Sequence, residues 1–346
     1  MKIKYLTQFI LIISAVFLIC MGGCGKNTTP DSISEDSFRQ VSLQLPYGIE
    51  AHSAGYYAAL SQGYYYDEGL DVTILNGSNQ TRPEDSVLSG KALFGVTTLP
   101  RLIQLKSQEK PITHLAQILY TSGNLLVWKT EGPIKSPIDL LHHKVILPPN
   151  GLGNEFYLYL AHNRISPQNI LISENPKGIE LFLKGDADMV MLDTFSTDPE
   201  LMAKKPESMV LSVSSAAFSP WGLPQDCIFA KEETLNEEKD LTLKFVRATI
   251  KGWKYVLTNP KETVSLMSDY DKMNLMDKER EFQSLRELVK HFYKDTNGQM
   301  MIGFLSRERL NEVNSLMAQY QLIPKPVDDN LLPQGFMDEI YKTKLE

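Results

Sequence analysis

The spacing of apolar residues changes period again and again along this chain. Residues 41–45, VSLQL, alternate apolar and polar as a half-buried strand does. Residues 54–68 switch to a helical period that Gly69 closes. A strand over 70–75, a helix over 82–90, a short strand over 92–96, a helix over 99–107 and a strand over 113–120 follow. This repeated β-α order predicts a parallel sheet covered by helices.

The pattern then restarts. Residues 125–129 and 144–147 read as strands, 154–163 as a helix, 169–172 as a strand, 178–184 as a helix and 188–192 as a strand. Short apolar runs at 210–213 and 227–230 close the series. Beyond residue 237 the chain turns helical, with helices expected over 240–258, 260–270, 279–293 and 306–320. Two βα-rich halves and a helical tail predict a two-lobed α/β protein. The isolated strands near 120–130 and 225–230 are the natural crossings between the lobes. The expected division is 38–124 plus 228–346 for the first lobe and 125–227 for the second.

The amino terminus has a different character. Lys2 and Lys4 precede an apolar run over 9–19, then Gly22, Gly23 and Cys24. A charged start, a short apolar core and small residues before a cleavage point make an export signal over residues 1–23. The apolar run is shorter than the ~20 residues a membrane span needs. A cysteine just after the small residues resembles the lipobox of bacterial lipoproteins, which implies acylation at Cys24; an ordinary secretory signal with an incidental cysteine is the alternative. Residues 24–37 are polar and without period, as a tether is. The expected location is therefore extracytoplasmic, lipid-anchored to the cell membrane.

Composition narrows the classes of function. Of 346 residues, 42% are hydrophobic and 22% charged, which is ordinary for a globular protein. The net charge is −7 and the signal holds two lysines and no acid, so the mature chain is more acidic still. That balance, without a basic cluster, argues against nucleic acid as a partner. Cys20 leaves with the signal, so Cys227 has no cysteine to pair with once Cys24 is acylated. The six histidines show no HExxH or paired ligand spacing, and no metal or other cofactor is expected.

Ligands of open α/β sheets bind beyond the carboxyl ends of strands, which singles out a few loops. Tyr47 and His52 follow the first strand; His52 offers hydrogen bonds to a ligand or simply caps the next helix. Asn76 follows the second strand, and Thr97 and Thr98 the third, where Thr98 also suits a helix N-cap. Gly151, Gly153, Asn154 and Glu155 precede a helix whose free N–H groups could face a ligand. Glu155 suits either an amino group of a ligand or the positive end of that helix. Asp193 ends a strand, and Trp221, before the return strand, could stack on a flat ligand or plug the lobe interface. Neither GxSxG nor GxxxxGK[ST] is present, and the loops carry Gly, Asn, Thr and aromatics rather than paired titratable groups. That inventory suits holding a small molecule better than transforming it.

Five stretches carry a resemblance: HSAGYYAALSQGYYYDEGLDVTI at 52–74, LSGKALFGV at 88–96, FLKGDADMVMLDTF at 182–195, WGLPQDCIFAKEETL at 221–235 and FVRATIKGWKYVLTNPKETV at 245–264. Together they resemble the solute-binding proteins of bacterial ABC importers, more narrowly the family that binds thiamine pyrimidine precursors, with alkanesulfonate- and taurine-binding relatives. The resemblance implies a type II periplasmic-binding-protein fold whose lobes close on a solute by a hinge. It also implies a monomer that hands a small-molecule solute to an ABC permease and catalyses nothing. The Trp-x-Pro-Asn motif that pyrimidine-binding members carry ahead of the helix histidine is absent here, where Pro46, Gly48 and Ile49 stand; His52, Gly55 and Tyr57 persist. A sensor that reports its ligand to a membrane kinase, and a secreted enzyme, are the other readings.

Overall fold

A computed structural model describes residues 38–77, 82–129, 136–149, 152–193, 195, 211–214 and 222–342. Cys24, Gly151 and Trp221 lie outside them. Residues 38–346 make one compact unit, with two sheets of five strands each.

The first sheet contains β1 (Arg39–Gln44), β2 (Leu70–Leu75), β3 (Phe94–Thr97), β4 (Ile112–Leu119) and β10 (Gln225–Lys231), in the order β2-β1-β3-β10-β4. The second contains β5 (Asn124–Lys129), β6 (Lys144–Leu147), β7 (Leu171–Glu174), β8 (Met189–Asp193) and β9 (Leu211–Ser214), in the order β7-β6-β8-β5-β9. The chain crosses between the sheets twice, over residues 120–123 and 222–224.

The four strands expected to form a parallel first sheet do run in one direction, and the sheet is made mixed by a fifth. β1 pairs parallel with β2 and β3, but β10 wedges between β3 and β4 and runs antiparallel to both. The reason is direction of arrival: β10 enters from the second sheet, whereas β1 to β4 are linked by helical crossovers, which make parallel pairs. The helix expected over 54–68 is two helices, Ala54–Ser61 and Tyr64–Asp67, because Gly63 between them adopts φ +74. Residues 167–169 form a 3-10 turn, opened by a cap from Ser166 and by Pro167, so the strand expected at 169–172 starts later, as β7.

Both faces of the first sheet are buried. One is covered by the Ala54–Ser61 and Lys239–Thr258 helices. There Phe94 stacks on Phe245 at 4.1 Å between ring centroids, and Trp253 is fully buried edge-on to Tyr56. These two helices approach so closely that a Cβ on Gly252 would lie 2.1 Å from the carbonyl oxygen of Gly55. The other face is covered by the Leu99–Ser107 and Arg307–Gln319 helices. A residue such as Trp253 removes ~150–250 Å² from water, so these two layers supply most of the drive to fold this half. No described helix is long and apolar enough to cross a membrane.

Candidate functional site

β1 delivers the chain into a loop that turns sharply through the 3-10 turn Ala51–Ser53. The turn is fixed locally: Glu50 N donates to Ser53 Oγ at 3.1 Å and Ser53 N to the Glu50 carbonyl at 2.8 Å. The buried carboxylate of Glu281, from the Lys278–Leu288 helix, accepts from Ala51 N at 2.8 Å. His52 is thereby held inside the protein, beyond the carboxyl end of β1.

What meets it there is Asp226, near the start of β10. His52 Nδ1 contacts Asp226 Oδ2, and Tyr47 Oη donates to Asp226 Oδ1 at 3.1 Å. The Tyr47 and His52 rings lie 4.6 Å apart. Asp226 is 1% exposed, and its backbone sits at φ +53, a left-handed conformation that Asp tolerates better than most residues. A carboxylate this deep needs hydrogen-bonding partners, and His52 and Tyr47 provide them. Its field reaches further. Burial first, and then the Asp226 charge, push the Tyr56 phenol and the Cys227 thiol up from their ordinary pKa values.

Phe195, two residues beyond β8, brings a ring from the second half of the molecule. It lies 5.5 Å from His52 and 4.7 Å, edge-on, from His291. His291 in turn meets Thr121 Oγ1 through Nδ1 at 2.8 Å. The cluster of Tyr47, His52, Asp226, Phe195 and His291 thus draws on both halves and on the strand that returns between them.

Asn76 joins its edge: its side-chain oxygen accepts from Tyr57 Oη at 2.8 Å. Its neighbour Gly77 donates to the Tyr47 carbonyl at 2.6 Å and lies so close to Pro46 that no Cβ would fit. Thr97 ends β3 opposite Cys227, buried. Thr98 caps the Leu99–Ser107 helix, accepting from Arg101 N at 3.2 Å. Gly153 opens the Asn154–His162 helix with its Cα against Leu147, where a Cβ would come within 3.0 Å. Asn154 is buried beside it, and its Nδ2 finds no partner among the described residues. Glu155 is turned toward the two crossovers, where it accepts from Ser122, Asn124 and Leu223. Asp193 ends β8 opposite Asn124.

Sequence reasoning passed over Asp226, Phe195 and His291. A signal existed for the first: Asp226 is the one charged residue in the run LPQDCIFA, and a charge inside a buried strand demands a partner. None existed for the others, whose importance comes from distant loops meeting. A cavity of about 690 Å³ lined by Thr113, Glu232, Asn236, Arg307 and Leu332 lies at the other ends of β4 and β10 and shares no residue with the cluster. Among the described residues no group of three or more His, Cys, Asp or Glu is placed to hold a metal ion.

Two mixed sheets joined by two crossovers, with a polar and aromatic cluster where they face each other, define a protein of the periplasmic-binding-protein fold. The aliphatic sulphonate binding protein SsuA of Escherichia coli superposes with a TM-score of 0.63 at 12% identity, over 84% of this chain and 91% of that one. Residues 50–263 match the family described as NMT1/THI5 like, and the chain belongs to that family. It is 25% identical to the formylaminopyrimidine-binding protein of Halalkalibacterium halodurans, over 92% of this chain and 96% of that protein. It is 24% identical to the riboflavin-binding protein RibY of Chloroflexus aurantiacus, over 98% of each.

Proposed function

We propose that this protein is a monomeric, lipid-anchored extracytoplasmic receptor that captures a small nitrogen-bearing aromatic solute and delivers it to an ABC permease. The observation that carries this is the buried Asp226 carboxylate, engaged by His52 and Tyr47 beside the ring of Phe195. Asp226 fixes the orientation of the imidazole and of the phenol, and so presets a polar edge before any ligand arrives. The rings of Tyr47, His52 and Phe195 supply faces for a flat solute. The carboxylate sets the sign of selection: in a low-dielectric cleft it disfavours an anion such as a sulfonate and favours a solute rich in N–H donors. The two relatives matched by sequence are named for nitrogen heterocycles, which supports this reading; the sulphonate-binding neighbour is alike in fold.

A carrier returns its ligand unchanged. Titration calorimetry of the protein against aminopyrimidines, formylaminopyrimidines, flavins and aliphatic sulfonates is the test. The expected result is one saturable site for an aminated heterocycle, none for sulfonates, and a ligand of unaltered mass on release. Sulfonate binding without heterocycle binding, or conversion of the bound ligand, overturns it.

A further inference from the structure

The Asn154–His162 helix follows β6 of the second sheet, yet one of its faces is committed to the first half of the molecule. Glu155, Leu158 and His162 are spaced i, i+3 and i+7 and share that face. Glu155 is 2% exposed and accepts from Ser122 Oγ at 2.6 Å, Leu223 N at 2.5 Å and Asn124 Nδ2 at 2.8 Å. One carboxylate therefore grips both crossovers. Leu158 is buried in a cluster with Leu99 and Leu305 of the first half and with Leu223 of the second crossover. At the far end of the helix, His162 Nδ1 lies 2.6 Å from Tyr320 Oη, just beyond the Arg307–Gln319 helix.

The first half grips the same crossovers from its own side. Arg309 Nη2 donates to the Gly222 carbonyl at 2.8 Å, and its guanidinium lies 5.9 Å from the Tyr120 ring. The two crossovers touch, since a Cβ on Gly222 would come within 3.3 Å of Thr121 Cβ.

We propose that this helix face is the seat on which the two halves turn, with Glu155 as the fixed point and the His162–Tyr320 contact as a catch that sets the balance between arrangements of the halves. This rests on reading the protein as a receptor that closes on its solute. The bonds to Glu155 are charge-assisted and buried, and breaking them would strand a buried carboxylate, so motion that keeps them is favoured. His162 lies about 10 Å further along the helix, so a turn of roughly 20° about Glu155 displaces it by roughly 3–4 Å, enough to part it from Tyr320. That contact is exposed, and water replaces it once it breaks. Glu155 is thus a positioning residue for closure, and Tyr320 tunes affinity without touching the solute.

The experiment uses ligand-free full-length chain, with Cys20→Ser and Cys24→Ser and spin labels at Ile138→Cys and Met273→Cys, both exposed positions. Pulsed dipolar spectroscopy reads the distance between the halves. Tyr320→Phe keeps the ring and loses the hydroxyl, and it should lower the population of the arrangement described here about fivefold relative to the others, as expected for loss of one hydrogen bond. In Glu155→Gln, the Leu223 amide should exchange its hydrogen at least about tenfold faster. A Tyr320→Phe distribution that overlays the parent, or unchanged exchange at Leu223, overturns the proposal. Since no ligand is present, neither outcome depends on which solute the cleft takes.

Discussion

His52 and Asp226 stand 174 positions apart in sequence and meet with their side chains 2% and 1% exposed. Each is anchored separately, His52 by a turn braced on Glu281 and Asp226 by the pairing of β10 with β3 and β4. The pair is therefore preset by the fold and needs no ligand to assemble it.

Asp226→Asn tests the role of that charge. Asn tolerates the left-handed backbone at this position, so folding should be retained, as circular dichroism would show. Affinity for an aminated heterocycle should fall about tenfold or more, the scale of a hydrogen bond to a charged group. Calorimetry of the two proteins side by side checks it, and equal affinities would remove Asp226 from recognition.

Gly252→Ala should destabilise the protein without altering its surface. The new methyl would meet the Gly55 carbonyl oxygen and Ala59, which are helix rather than a flexible side-chain tip. A cost of about 1–3 kcal/mol is expected, read as a midpoint lowered by several degrees in thermal unfolding.

His114, fully buried in β4, gives the stability a specific pH dependence. Burial lowers its pKa from the ordinary 6.5 to about 4. Above 6.5 it is neutral in the folded and unfolded chain alike. Between 6.5 and 4 the unfolded chain takes up a proton that the folded one refuses, so stability falls as pH falls through this window and levels off below it. The loss is on the order of 3 kcal/mol at most. His114→Gln should flatten the denaturant midpoint against pH across that range; an unchanged slope would show that carboxylates alone set the acid limb.

Cys24→Ser tests the anchor. The parent should partition with detergent in a phase-separation assay of cell extracts and carry metabolically supplied palmitate. The variant should do neither, while keeping its solute affinity. Label on the variant would move the acylation elsewhere.

Much of the fold was legible in the sequence because apolar period and turn residues agree locally. The Leu99–Ser107 helix, β6 and the Gly178–Lys184 helix start and stop where the pattern says. What was not legible depends on partners far apart in the chain. The strand at 227–230 is visible as an apolar run, but nothing local says that it lies antiparallel between β3 and β4. Thr98 shows the same limit at the site: its residue type fits a ligand hydroxyl and a helix cap equally, and its bond to Arg101 N comes only with the helix in place. Glu155 fits the positive end of a helix on sequence grounds, while its bonds to Ser122, Asn124 and Leu223 depend on where two crossovers pass.

The position of β10 also bears on how the chain can be made. β3 and β4 are not paired with each other; residues 225–231 pair with both and bridge them. A chain emerging from its amino terminus has delivered the whole second sheet before the first can be completed. The inserted half is thus able to fold first, on contacts close in sequence. The half that carries His52 must wait for a distant segment, with its apolar strands uncovered meanwhile. The export proposed above would gain from that delay: an incomplete sheet would keep the leading part of the chain unfolded until late in its passage.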